Sequence, residues 1–142
     1  MKISSNLPQF ESEKVLLVVT GRLEADFFRA GNGEVEKIAG FRVEKPQYSN
    51  REGHFKTRGR GATLASKEKI LQDFRREFRK HVRSILADGL PDRIYVCTPS
   101  YLKNEVVALL PKRAAARVKK LVSGNLYGRH PFEILEKIRV PK

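Results

Sequence analysis

The sequence predicts a single mixed α/β domain, and three observations carry that prediction. Val15-Leu16-Leu17-Val18-Val19 is short, rich in β-branched Val and apolar at consecutive positions, as a central strand covered on both faces requires. Gly31-Asn32-Gly33 stands between two strand-like segments and supplies the positive-φ positions of a tight hairpin, with no helix following as a nucleotide-binding loop would need. From Ser66 the apolar period changes, and Ile70, Leu71, Phe74, Phe78, Val82, Ile85 and Leu86 recur at three- and four-residue spacing along one stripe. A chain of 142 residues fits one such domain and can bury about two-thirds of its unfolded surface without staples.

Taken in order, residues 1–12 are polar, contain Pro8 and lack a period, so they read as a short flexible lead-in to a domain over 13–142. The first strand spans Val15 to Val19 and ends at Gly21; the second covers Ala25 to Ala30, and the third Val35 to Val43, closed by Pro46. A glycine-punctuated loop, Gly53 to Thr63, leads into a helix from Ser66 to Leu86 that Gly89 and Pro91 stop. Arg93 to Thr98 repeats the buried-strand pattern. A helix from Ser100 or Tyr101 puts Leu102, Val106, Leu109 and Leu110 on one side and is limited by Pro111. Ala114-Ala115-Ala116 favours a helical turn, Leu121-Val122 a last short strand, and Pro131 opens a terminal helix carrying Ile134, Leu135 and Ile138. The order is β-β-β-α-β-α-(α)-β-α, without repeats, low-complexity tracts or an interdomain linker.

Charge selects the class of partner. Lys and Arg number 29 against 16 Asp and Glu, a net charge of +13, which draws the molecule to polyanions. No acid interrupts Gly53 to Lys67, so Lys56, Arg58, Gly59, Arg60, Gly61 and Lys67 form a basic, glycine-rich stretch suited to phosphates. Arg75, Arg76, Arg79, Lys80 and Arg83 continue it along the polar face of the helix, partly balanced by Asp73 and Glu77. Val106 to Phe132 also lacks an acid and carries Lys112 and Arg113, a second basic patch. An ordinary solvated surface is the competing reading of both. Tyr48, Phe55, Tyr101 and Tyr127 stand near these segments, where an aromatic ring stacks on a base or caps the core edge; for Tyr101 we expect packing.

The sequence offers no catalytic constellation. The strand-associated acids Glu24, Asp26, Glu34 and Glu36 are scattered around turns and read as surface charge rather than a two-metal site. His54, His81 and His130 lack ligand partners at metal spacing, and His81 reads as structural, so neither a metal nor a cofactor is expected. Cys97 falls in a buried-strand pattern, excludes an intrachain disulfide and fits a reducing compartment. No apolar run approaches the length of a signal peptide core or a membrane span, and we expect a cytoplasmic protein.

The element order, with Gly59-Arg60-Gly61 ahead of a basic helix, resembles the ribonuclease-H-like core of the middle domain of archaeal and eukaryotic-type peptide-chain release factors and Pelota. The release factors carry Gly-Arg-Gly-Gly-Gln in this loop; aligned on Gly59-Arg60-Gly61, Ala62 takes the place of the next Gly and Thr63 that of the Gln. A closer resemblance, over Val15 to Ile138, is to small bacterial and archaeal release-factor-like proteins, including the family labelled "host attachment". It rests on Ala25-Asp26-Phe27-Phe28, the Gly/Arg loop, the Phe-bearing helix, Thr98-Pro99, and the Gly-Asn-Leu, His-Pro and Ile-Leu steps from Gly124 to Leu135. The resemblance implies a mixed sheet with helices packed on it and a partner in RNA or the ribosome. It also implies that peptide release, which uses the missing Gln, is absent. Two alternatives remain from other classes: a protein-interaction module meeting an acidic partner, and a hydrolase on the same scaffold. Oligomeric state is left open.

Overall fold

A computed structural model describes residues 1–43 and 59–139, with side chains over 1–43 and 68–139. Five strands, β1 (Val15–Thr20), β2 (Glu24–Gly31), β3 (Glu34–Arg42), β4 (Arg93–Thr98) and β5 (Val118–Ser123), form one sheet in the order β3-β2-β1-β4-β5. The first three make an antiparallel meander, while β4 and β5 add parallel to the other side of β1. This is the mixed sheet of a ribonuclease-H-like α/β fold, as the sequence predicted. Among the described residues four helices complete it: α1 (Gly59–Leu86), α2 (Lys103–Leu109, entered through a 3-10 turn at Ser100–Leu102), α3 (Lys112–Ala115) and α4 (Pro131–Arg139).

All six residues of β1 are buried, so both faces of the sheet must be covered. Alternation divides the cover. Leu16, Val18, Ala25, Phe27, Ile94 and Val96 face α1, α2 and α3, whose Phe74, Phe78, Val82, Leu86, Val106, Leu109 and Ala114 close the first core. Val15, Leu17, Val19, Phe28, Ala30, Tyr95 and Cys97 face Ile134, Leu135 and Ile138 of α4, together with Ile3 and Leu7. Aromatic rings anchor the first layer: Phe27 lies 5.6 Å from Phe78, and Phe41 lies 5.5 Å from Phe74. His81 is structural, as expected. Its ring stacks on Phe27 and meets Phe41 at a tilt, and its Nδ1 lies 2.8 Å from the Glu77 carbonyl.

The β2–β3 hairpin turns on Asn32 and Gly33, with φ of 49° and 77°, the pair of positive values that a two-residue turn matched to strand twist requires. The pairing shifts register at Phe27/Phe28, where Ile38 is the extra residue of a β-bulge. The bulge puts Ile38, Ala39 and Phe41 against the α1 layer and leaves Lys37 and Gly40 beside Asp26 on the other face.

Three expectations are corrected. Residues 1–12 do carry structure: Lys2 bridges to Glu34, Ile3 N–H donates to Gly33 O (2.8 Å), Val35 N–H donates to Met1 O (2.9 Å), and Ile3 and Leu7 are buried. Two isolated apolar residues give no period, yet the exposed edge of β3 offers backbone partners. Gly31 permits the approach, since a Cβ there would lie 2.5 Å from the Glu13 carbonyl oxygen. The long helix starts at Gly59 rather than Ser66, so Gly59-Arg60-Gly61 lies in its first turns and not in a loop. Ala62, Leu64 and Ala65 are strong helix formers, and extending a formed helix adds a hydrogen bond per residue, which offsets the glycine penalty of about 1 kcal/mol each. The last strand runs from Val118 to Ser123, longer than Leu121-Val122, because the parallel neighbour β4 recruits the lysines between its apolar residues.

Phe78 has no exposed surface and joins α1 to the sheet. Phe78→Ala is expected to cost about 3–5 kcal/mol, a large part of the roughly 5–15 kcal/mol that holds a domain folded. Urea unfolding followed by circular dichroism measures it, with Tyr101→Ala as a surface control expected within about 0.5 kcal/mol of the parent.

Candidate nucleic-acid interface

The polar face of α1 is not uniformly free. Asp73 takes Arg76 at 2.9 Å and Lys69 at 3.7 Å, and Arg75 donates through Nε to the Glu105 carboxylate of α2. Arg75 and Arg76 are therefore each ion-paired, Arg76 at the exposed surface, and Arg75 serves to tie two helices together. Arg79 and Arg83, one turn apart and both exposed, have no ion-pair partner among the described residues; the same holds for Lys112 and Arg113 at the start of α3.

Packing brings these groups together. The β4–β5 crossover places α2 and α3 on the same sheet face as α1. Between the end of α1 and the α2–α3 corner lies a groove of about 520 Å³ lined by Arg79, Arg83, Leu86, Leu109, Pro111 and Arg113, with Ala87 and Ala108 on its walls. Leu86 and Leu109 are almost entirely buried, while the alanines and arginines are exposed. Its rim is cationic and its floor apolar. Arg83 stands in the last turn of α1, where the helix dipole favours a cation. Lys112 is exposed beside the groove but does not line it.

Of the other predicted contact residues, Lys56 and Arg58 lie outside the described residues, as do Tyr48, His54 and Phe55. Gly59, Arg60 and Gly61 begin α1, and Lys67 is a helix residue whose side chain is likewise outside the described set. Gly59-Arg60-Gly61 thus stands at the beginning of α1, and the groove borders its end. The 28 residues separating those ends extend about 42 Å. Sequence reasoning missed Glu105 and the groove floor. Glu105 gave no signal because its partner is distant in sequence; Pro111 next to Lys112-Arg113 marked a basic corner but not what it faces.

The acids of β2 differ from their expected role. Asp26 is buried on the α4 face and pairs with Lys37 at 3.1 Å, and Glu24 pairs with Arg42 at 3.6 Å. Gly40 makes room, since a Cβ there would stand 2.6 Å from Asp26 Oδ1. These acids are local ion pairs rather than free surface charge, because the bulge brings Lys37 over Asp26. Burial first, and then the charges of Asp26 and Glu24, hold the Tyr127 phenol above its ordinary value, with Arg42 and Lys37 offsetting part of the effect. Tyr101, expected to pack, is 69% exposed, because the 3-10 turn points Leu102 inward instead. Thr20 and Thr98, both buried at the ends of β1 and β4, satisfy one another at 2.6 Å. No group of His, Cys, Asp and Glu suited to a metal occurs among the described residues, nor does any helix there have the length and apolarity to cross a membrane.

With its geometry in view, the chain has the α/β fold of release-factor-type domains. It superposes on Pelota from Archaeoglobus fulgidus with a TM-score of 0.55 at 18% identity, over 90% of this chain and 32% of that one. The archaeal translation termination factor aRF1 gives a TM-score of 0.56 at 15% identity, over 89% of this chain and 35% of that one. The chain spans about a third of the length of each, and the likeness is one of fold. No known sequence family and no curated protein matches it.

Two measurements probe this region and its support. A double-mutant cycle with Arg75→Ala and Glu105→Ala is expected to give a coupling of about 0.5–1 kcal/mol, reduced from a buried pair's value because both side chains are about one-third exposed. Burial pushes the Cys97 thiol up to about 12, against a smaller opposing effect of Lys120. The folded state therefore holds its proton more tightly than the unfolded one. That contribution to stability is complete below the ordinary value of 9.0 and is lost as pH rises toward about 12. Unfolding curves across that range are expected to decline less steeply for Cys97→Ala, and the native thiol to resist alkylation at pH near 8.

Proposed function

We propose that this protein binds RNA or the ribosome without releasing peptides, using α1 and the basic stretch before it as its contact surface. The observation that carries this reading is the exposed set Arg79, Arg83 and Arg113 around one groove, without an ion-pair partner among the described residues although nearby Arg75 and Arg76 are paired. Arginine forks pair with phosphate in two-point contacts, and such contacts need charge and accessible donors rather than a catalytic group. A net charge of +13 supplies the long-range attraction. The likeness to aRF1, a translation termination factor, supports a role in translation, and hence in the cytoplasm.

Peptide release calls for a Gln-bearing glycine loop. Ala62 and Thr63 stand where the next Gly and the Gln would be, and Thr carries no amide to position a hydrolytic water. Lys56, Arg58 and Arg60 retain the means to hold phosphates, so the reading is a binding protein with no catalytic step, metal or cofactor.

Filter binding of purified protein to ribosomes and to unrelated RNA across a salt series tests the proposal. Arg79→Ala/Arg83→Ala/Arg113→Ala is expected to weaken binding about tenfold or more at low salt. It should also flatten the salt dependence by about two, given roughly 0.7 per phosphate contact on a single strand. Absence of binding at low salt, or an unchanged slope in the triple variant, overturns it.

A further inference from the structure

We infer that the groove between α1 and the α2–α3 corner is a docking site for an unpaired nucleotide of single-stranded RNA, with the base on its apolar wall and the neighbouring phosphates on its arginine rim. The inference rests on the RNA-binding reading above and adds the form of RNA that is bound.

Phosphate attraction needs only surface charge, and a flat basic face would serve. This groove has more. Leu86, Leu109 and Pro111 form a floor between Arg79 and Arg83 on one side and Arg113 on the other. Its volume of about 520 Å³ falls within the roughly 300–1,000 Å³ of small-molecule sites. A duplex cannot use such a floor, because its bases are stacked inside and its convex backbone presents only sugars and phosphates. A single strand can turn a base outward, and an extruded base gains from apolar contact and from lying on a guanidinium plane. The two roles of Arg, planar stacking and two-point phosphate pairing, are both open to side chains that have no carboxylate partner among the described residues.

The walls are also held apart in advance. The Arg75–Glu105 pair ties α1 to α2, and Phe74, Phe78 and Val82 fix α1 on the sheet, so the groove exists without a ligand. A purely acidic peptide such as poly-glutamate would meet the rim but carries no planar apolar group for the floor.

Fluorescence anisotropy at low salt distinguishes the outcomes, using a short labelled single-stranded RNA, the same strand in a duplex, an abasic ribose-phosphate strand of equal length, and a poly-glutamate peptide of equal charge. The intact single strand is expected to bind about tenfold more tightly than the duplex or the abasic strand, the range of one base stack. Ala87→Leu/Ala108→Leu fills the groove at two exposed positions without altering charge. It should reduce the intact strand to the level of the abasic one while leaving abasic binding and the melting temperature unchanged. Equal affinity for intact and abasic strands overturns the inference and leaves RNA binding standing. So does an intact-strand affinity that the filled groove does not alter. Displacement of RNA by the peptide at equal charge overturns it in favour of a protein partner. Failure of every RNA to bind removes the underlying reading as well.

Discussion

Everything in this fold depends on β1. Its six residues are buried on both sides, and it pairs antiparallel with β2 and parallel with β4. A strand of this kind cannot lie at an edge or face water on either side, so two layers have to form. Each layer is then assigned by parity: even positions of β1 meet α1 and α2, odd ones meet α4 and the first residues of the chain. The parallel addition of β4 and β5 needs crossovers, and the crossover from β4 to β5 lays α2 and α3 beside α1. The groove is a consequence of satisfying β1.

Charge is distributed along the same division. On the α4 face, Asp26 and Glu24 are taken by Lys37 and Arg42. On the α1 face, Asp73 and Glu105 take Lys69, Arg76 and Arg75, and Glu77 lies 3.8 Å from His81. The arginines beyond, toward the C-terminal end of α1, meet Arg113 across the groove. Mutual repulsion among them is tolerated because they are exposed and screened by water and salt. A phosphate would relieve that repulsion, which is why an unneutralised cluster carries more functional weight than the larger count of basic residues around it.

Where local periodicity is strong the chain is read directly. Val15 to Thr20, the Asn32-Gly33 turn, the Phe74-Phe78-Val82 stripe and the Pro131 start of α4 all behave as their side chains require. Misreadings fall where a distant surface overrides local preference. Ile3 and Leu7 are too sparse to announce an element but find the far face of the sheet, and Val118 joins a strand because β4 is beside it. Glycine at 59 and 61 reads as loop until helix propagation from below is considered. Asp26 looked like surface charge because the bulge at Ile38, which brings Lys37 to it, leaves no mark on the sequence.

By itself the sequence determined the element types, the order in which they occur and the cationic character of the molecule, because each depends on neighbours within a few positions or on simple counting. Only the tertiary structure decided which arginines lack an ion-pair partner among the described residues. Arg75 and Arg79 stand one helical turn apart on the same charged face, and nothing local separates them. Glu105, reached only after β4 has carried the chain back across the sheet, takes the first and leaves the second beside Arg113. Ion pairing and concavity are properties of surfaces that meet, and this chain brings them together only when β1 is covered.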